Sequence, residues 1–346
     1  MDKSRRLALN EKPVIGITLG DINGIGPEVI IKALADARIL KLCTPVIYGS
    51  TRVLAYYKKQ LQIDEFNYSH IKTHENLFFK KINVINCWDE VVEINTGSVT
   101  PEAGKCAFLA LEKACDDLKN GHLDALVTGP INKHNIQNEQ FSFAGHTEYL
   151  TSYFGAKDSL MFLVSEDLRV GVATGHIPLQ DVPKSITSDL IEEKVKLMAD
   201  SLKKDFGILK PKIAVLGLNP HAGEEGLLGQ EEIEIIKPAI QKCKNDGLLI
   251  FGPFPSDGFF GTGHFKKVDG ILAMYHDQGL IPFKTLAFES GINFTAGLSV
   301  IRTSPDHGTA YDIAGKNLAD EKSMREAIFL ACDIVQARSA ASAHNP

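Results

Sequence analysis

No stretch of this chain approaches the roughly eighteen consecutive apolar residues that a membrane-spanning helix needs. The opening residues, MDKSRRLALNEK, also lack the apolar segment of a secretory leader, so a soluble, cytoplasmic protein is expected. Cys43, Cys87, Cys106, Cys115, Cys243 and Cys332 form no C-x-x-C pair and read as reduced core thiols, in keeping with a reducing compartment. Long basic runs are missing too. Lys and Arg number 37 against 43 Asp and Glu, for a net charge of −6, and basic residues cluster only in pairs such as Lys80-Lys81 and Lys266-Lys267, which argues against nucleic acid as a partner.

Several catalytic signatures are absent. Neither G-x-S-x-G nor H-E-x-x-H occurs, so a serine hydrolase and a zincin have no support. GDINGIGPE carries Gly24 and Gly26 but has Val29 where a dinucleotide fingerprint needs its third glycine, and no Gly-Lys-Ser/Thr completes a phosphate loop.

What is present is the composition of an ordinary enzyme-sized protein. The 346 residues are 44% hydrophobic and 23% charged, enough for about two domains. Strand-like apolar runs recur at 14–19, 45–48, 82–85, 125–127, 160–164, 170–173, 213–216 and 270–274. Helical patterns lie between them, clearest at 101–120, where Ala107, Phe108, Leu111, Ala114, Cys115 and Leu118 share one face and Gly121 follows as a stop. Pro27 and Glu28 announce another helix start. The alternation predicts an α/β protein with mixed sheets.

Three of these runs end on histidines: His176 in RVGVATGHIP, His221 in KIAVLGLNPHAG and His276 in DGILAMYHDQG. One such histidine is ordinarily a loop residue. Three at equivalent strand ends are the pattern of an open metal site, because ligands gather at the carboxyl ends of parallel strands and three imidazoles leave coordination positions for a substrate. Downstream, Lys284, Asn293 and Arg302 repeat no helical face but could converge from loops to take a phosphate and a carboxylate. AGHTEYL places His146 and Thr147 at a loop-to-helix start whose free N–H groups suit an anion.

Taken together, GDINGIGPE, TGPINK, GHTEYL, TGHIPL, LNPHAGEEGLLGQEE, MYHDQGLIPFK, GINFTAGL and IRTSPDHGTAYDIAGK resemble the 4-hydroxythreonine-4-phosphate dehydrogenase family of vitamin B6 biosynthesis, from about Pro13 to Lys316. The resemblance implies two α/β/α domains of the isocitrate/isopropylmalate dehydrogenase kind with an active-site cleft between them. It places the first at 1–130 plus 306–346 and the second at 131–305. It implies one divalent metal ion (Zn, Co, Mg, Mn or Ni) on His176, His221 and His276, and substrate contacts from His146, Thr147, Lys284, Asn293 and Arg302. Asp257 and Asp277 stand as possible bases, although the sequence does not identify the base.

HGTAYDIAGK is also similar to the cofactor loop of the isocitrate and isopropylmalate dehydrogenases, which bind NAD or NADP without the glycine fingerprint. Gly308, Thr309, Ala310 and Asp312 are the cofactor candidates on that ground. The implied reaction oxidises 4-phosphooxy-L-threonine at C3 and then decarboxylates it, in a homodimer with the active site near its interface. Phospho-threonate or phospho-erythronate as substrate, and a three-histidine metal hydrolase, are the alternatives. Two departures from the family pattern stand out: Ile22-Asn23, where a proline and a small residue are common, and Gly129, where alanine is usual.

Overall fold

VIGIT has no polar face, and all five of its residues are buried in β1 (Val14–Thr18), a strand with parallel neighbours on both sides. This computed structural model describes residues 12–343. Its internal contacts divide the described residues into two units, one running to Gly155 and resuming over Leu298–Ser339, the other comprising Ala156–Gly297 and residues 340–343.

In the first unit β1 is followed by α1 (Gly26–Leu34), α2 (Ala37–Leu42), β2 (Thr44–Gly49), α3 (Thr51–Leu61), β3 (Tyr68–His70), β4 (Ile82–Asn86), α4 (Pro101–Lys119), β5 (Ala125–Thr128) and α5 (His146–Tyr153). The second unit holds β6 (Leu160–Val164), β7 (Arg169–Val172), α6 (Val182–Ser185), α7 (Ser188–Lys204), β8 (Lys212–Leu216), α8 (Lys237–Asn245), β9 (Leu249–Phe254), α9 (Ser256–Gly261), β10 (Gly270–Ala273), α10 (His276–Ala287) and β11 (Ile292–Ala296). The chain then returns to the first unit with β12 (Arg302–Pro305), and the last described element is α11 (Lys322–Ala343).

The first unit's strands run in the order β3-β4-β2-β1-β5-β12, and every pairing is parallel. The second unit's run β11-β6-β7-β10-β8-β9, antiparallel at β11/β6 and β6/β7 and parallel beyond. The expected mixture of strand directions therefore belongs to the second unit. Its core joins Val170, Val172, Ala214, Leu216, Ile271 and Ala273 from the strands to Phe259, Leu280 and Phe283 from α9 and α10.

α4 matches the expected helix to within a residue. Thr100 caps it by accepting the Ala103 N–H at 3.2 Å, and Gly121 ends it with a positive φ of 76°. α1 begins with Pro27 in its first turn. Glu28 does more there than favour the helix dipole: fully buried, it accepts from Lys32 Nζ at 2.8 Å and from the Ala319 N–H at 3.1 Å.

The units break at other places than the expected 130/131 and 305/306. Phe141 and Tyr149 stack on each other, with centroids 5.0 Å apart, and both meet Phe108 of α4 edge-on at 6.3 and 6.4 Å. Those aromatic contacts keep the segment up to Gly155 with the first unit, and β12 joins it by pairing with β5.

Four strands, β3, β9, β11 and β12, lie outside the expected set. β9 is interrupted by Gly252-Pro253, β12 reads RTSP, and β3 is a three-residue polar edge, so none carries the apolar run that marks a strand. The segment after His276 is also not a loop. It forms α10 around Pro282, because Leu280 and Phe283 bury against the sheet and a β-carbon at Gly279 would sit only 3.0 Å from Val170 Cγ1.

Candidate active site

β7, β10 and β8 are consecutive, parallel neighbours, so their carboxyl ends lie side by side. Each leads into one of the three histidines. His176 follows β7 in an exposed loop, His276 is the first residue of α10, and His221 lies in the turn after β8. The His176 and His276 rings stand 5.4 Å apart, tilted by 45°, and His276 Nδ1 is hydrogen-bonded to Asp277 Oδ1 at 2.7 Å.

His221 opens a run of positive φ angles through Gly226, including 52° at His221, 51° at Ala222 and 41° at Glu224. Left-handed conformations cost non-glycine residues roughly 1–2 kcal/mol each, so this turn persists only because its surroundings hold it. Among the described residues of a single chain, no group of three or more His, Cys, Asp or Glu side chains is gathered closely enough to hold a metal ion. The structure thus brings the His176 and His276 rings together. The donors still suit a divalent ion: neutral imidazoles, one of them oriented by a carboxylate on its second nitrogen, are what such ions take.

Asp257 and Asp277, the two candidate bases, line a cavity of about 500 Å³ with His221, Asn219, Tyr275 and Gln278. Lys284 lies on α10, two turns past His276, and Asn293 lies on β11 opposite Leu163, its Oδ1 buried without a hydrogen-bond partner among the described residues. Neither is a loop residue, and both belong to the second unit, whereas Arg302 belongs to the first.

In the first unit Arg302 opens β12 and is 3% exposed. Its Nη2 and Nε donate to Thr128 Oγ1 at 2.7 and 3.1 Å. Burial pulls the guanidinium down to about 10, against the attraction of Glu148. His146 is the first residue of α5, with Thr147 next to it; the capping position is Gly145, in extended backbone, so Thr147 is not the cap. Burial, then Arg302 and Lys133, hold His146 well below the usual imidazole range, and its buried Nε2 has no hydrogen-bond partner among the described residues. The pair is a fixed cation beside a neutral imidazole.

The loop bearing Gly308, Thr309, Ala310 and Asp312 packs onto the turn between β1 and α1. The Ile25 N–H donates to Thr309 O at 2.9 Å, and a β-carbon at Gly24 would lie 2.7 Å from that oxygen. Gly24 therefore serves chain packing. Gly308 and Asp312 are exposed, and Ala310 takes a φ of 41°.

Asp21, which sequence reasoning passed over, organises this region from a fully buried position. Its Oδ2 accepts from Tyr311 OH and from Asn135 Nδ2, both at 2.8 Å, and its Oδ1 accepts the Asn23 N–H at 2.9 Å. The only signal in the sequence was an acid inside a glycine-rich motif.

Parallel strands feeding polar residues into loops at their carboxyl ends define an α/β enzyme acting on a small polar metabolite. Known proteins narrow this class. The chain is 52% identical over 325 residues to a 4-hydroxythreonine-4-phosphate dehydrogenase of Bacteroides thetaiotaomicron, covering 94% of this chain and 89% of the relative. A relative of the same name from a Sulfurihydrogenibium species is 45% identical over 317 residues, covering 92% and 97%. Among solved structures, 4-hydroxythreonine-4-phosphate dehydrogenase from Klebsiella pneumoniae matches with a TM-score of 0.82 and 37% identity, over 94% of this chain and 98% of that one. The profile of the pyridoxal phosphate biosynthetic protein PdxA matches residues 41–331, and the chain belongs to that family.

Proposed function

We propose that this protein is an NAD(P)-dependent, decarboxylating dehydrogenase of pyridoxal phosphate biosynthesis. It oxidises the C3 hydroxyl of 4-phosphooxy-L-threonine, and the β-keto acid so formed loses carbon dioxide to leave 3-amino-2-oxopropyl phosphate. The observation that carries this reading is 52% identity across 94% of the chain to a relative of that name.

His176, His221 and His276 would hold one divalent ion (Zn, Co, Mg, Mn or Ni), which when bound supplies a Lewis acid for the substrate's C3 oxygen. Arg302 and Lys284 take the phosphate and carboxylate, with His146, Thr147 and Asn293 completing the substrate contacts. Two features favour these roles: the unpartnered Nε2 of His146 and Oδ1 of Asn293 are buried polar atoms that a bound ligand would satisfy. Asp277 is engaged by His276, which leaves Asp257 as the carboxylate to accept the hydroxyl proton. Gly308, Thr309, Ala310 and Asp312 bind NAD or NADP, on a loop held in place by Tyr311 and Asp21.

A homodimer with the active site near its interface is proposed with this activity. No described helix is long and apolar enough to cross a membrane, and a cytoplasmic location is proposed with it. The test is NAD(+) and NADP(+) reduction with 4-phosphooxy-L-threonine, phospho-threonate and phospho-erythronate, each with and without chelator. Substrate-dependent NADH or NADPH formation that is strongest with the first and abolished by chelation is expected. Turnover that ignores the chelator would remove the metal from the reading, and a preference for phospho-threonate would change the substrate.

A further inference from the structure

We propose that Gln278 and Glu232 are positioning residues that fix the main chain leading into His221 and register it against His276. The proposal rests on assigning these histidines to a divalent ion, and it concerns how the chain presents them.

Three successive residues ahead of the left-handed turn are held by side chains. Gln278 Nε2 donates to Gly217 O at 2.6 Å. Glu232 Oε1 accepts the N–H groups of Leu218 and Asn219 at 2.7 and 2.8 Å, and its Oε2 accepts from Asn219 Nδ2 at 2.9 Å. Glu232 is 1% exposed, so three N–H donors stand in for its lost hydration. The main chain is folded tightly around it: a β-carbon would lie 2.6 Å from Oε2 at Gly223 and 3.1 Å from Oε1 at Gly217. The carboxylate thus sits where the backbone must be held for the positive-φ run at His221 to persist.

Gln278 supplies the link between loops. Its Oε1 accepts the Met274 N–H at 2.6 Å, closing the turn that carries His276, and its Nε2 reaches Ser256 Oγ at 2.7 Å beside Asp257 as well as Gly217 O. Both amide hydrogens are used, and reversing the amide would set two donors against each other at Met274. One side chain therefore registers the ends of β10 and β8 and the start of α9. Neither residue touches the cavity chemistry through a charge of its own, so their effect passes through the histidines and Asp257.

The isosteric changes Gln278→Glu and Glu232→Gln test this in the full-length apoprotein, with His221→Ala as reference. Gln278→Glu sets a carboxylate against Gly217 O, and Glu232→Gln sets an amide N–H₂ against an N–H donor. Titration with Co²⁺, followed by its visible absorption, should show affinity about 10–100-fold weaker in both variants and an altered band shape. Hydrogen exchange across residues 217–222 should quicken without any metal present. Wild-type Co²⁺ affinity in Gln278→Glu, alongside loss in His221→Ala, would overturn the positioning role alone. Equal Co²⁺ binding by His221→Ala and wild type would overturn the metal assignment and the proposal with it. If either isosteric variant fails to fold, Ser256→Ala, which removes one Gln278 bond, should still weaken Co²⁺ binding, and unchanged affinity there would refute the coupling.

Discussion

Replacing Arg302 with Met separates a functional charge from a structural one. Burial brings the guanidinium down to about 10 from its ordinary value near 12.5. At about 1.4 kcal/mol per factor of ten, the charged form carries about 3 kcal/mol of unrelieved desolvation. Methionine removes that burden at similar length, but it leaves buried Thr128 Oγ1 without the donors at 2.7 and 3.1 Å, a loss of about 1–2 kcal/mol. The balance predicts a variant about 1–2 kcal/mol more stable than wild type in urea denaturation. Losing a charge-assisted bond to a substrate anion costs about 1.5–3 kcal/mol, so the KM for the phosphorylated substrate should rise about 10- to 100-fold. Destabilisation of 3 kcal/mol or more with an unchanged KM would refute the reasoning and make Arg302 a structural charge.

Other outcomes follow from the same contacts. His146 is held below the usual imidazole pKa, so the unfolded chain binds a proton that the folded one refuses; stability should be complete above about pH 6.5 and decline below it by up to about 1.4 kcal/mol per pH unit. Denaturation at a series of pH values should show a shallower acid limb in His146→Gln, and superimposable limbs would contradict a buried neutral imidazole. Gly129→Ala would set its β-carbon 2.6 Å from Thr18 O and 2.7 Å from Leu19 O, so a loss of about 1–3 kcal/mol and a lower Tm are expected. Asn23→Ala removes side-chain bonds to Asn95 N, Ser98 O and Thr100 Oγ1 from a fully buried position; about 2–3 kcal/mol should be lost, with faster hydrogen exchange over residues 95–100, and an unchanged rate would discount the network.

These contacts also explain the two departures. Asn23 ties the 95–100 segment to the β1 turn, and Gly129 lets the ends of β5 and β1 approach. What the sequence could not show is who lies opposite. Asp21, Gln278 and Glu232 each reach partners distant in sequence, such as Leu218, 14 positions from Glu232, and Tyr311, 290 positions from Asp21, and no local pattern records such distances. β11, β12 and α10 were illegible for a related reason. Their polar or proline-bearing stretches become regular only when neighbouring strands and a buried helix face satisfy them.

Hydrophobic periodicity by itself determined the α/β class, eight of the strands and the long helix α4, because burial of apolar side chains is written locally at spacings of two and 3.6 residues. The ordered motifs carried the family, and with it the expected site residues. Tertiary structure alone decided that β7, β10 and β8 are neighbours, so that His176 and His276 meet, and that His221 sits on a left-handed turn. It also decided that Arg302 is a buried cation beside a neutral His146. Strand order, burial and the reach of side chains across loops arise from contacts distant in sequence, and only the folded chain brings those residues together.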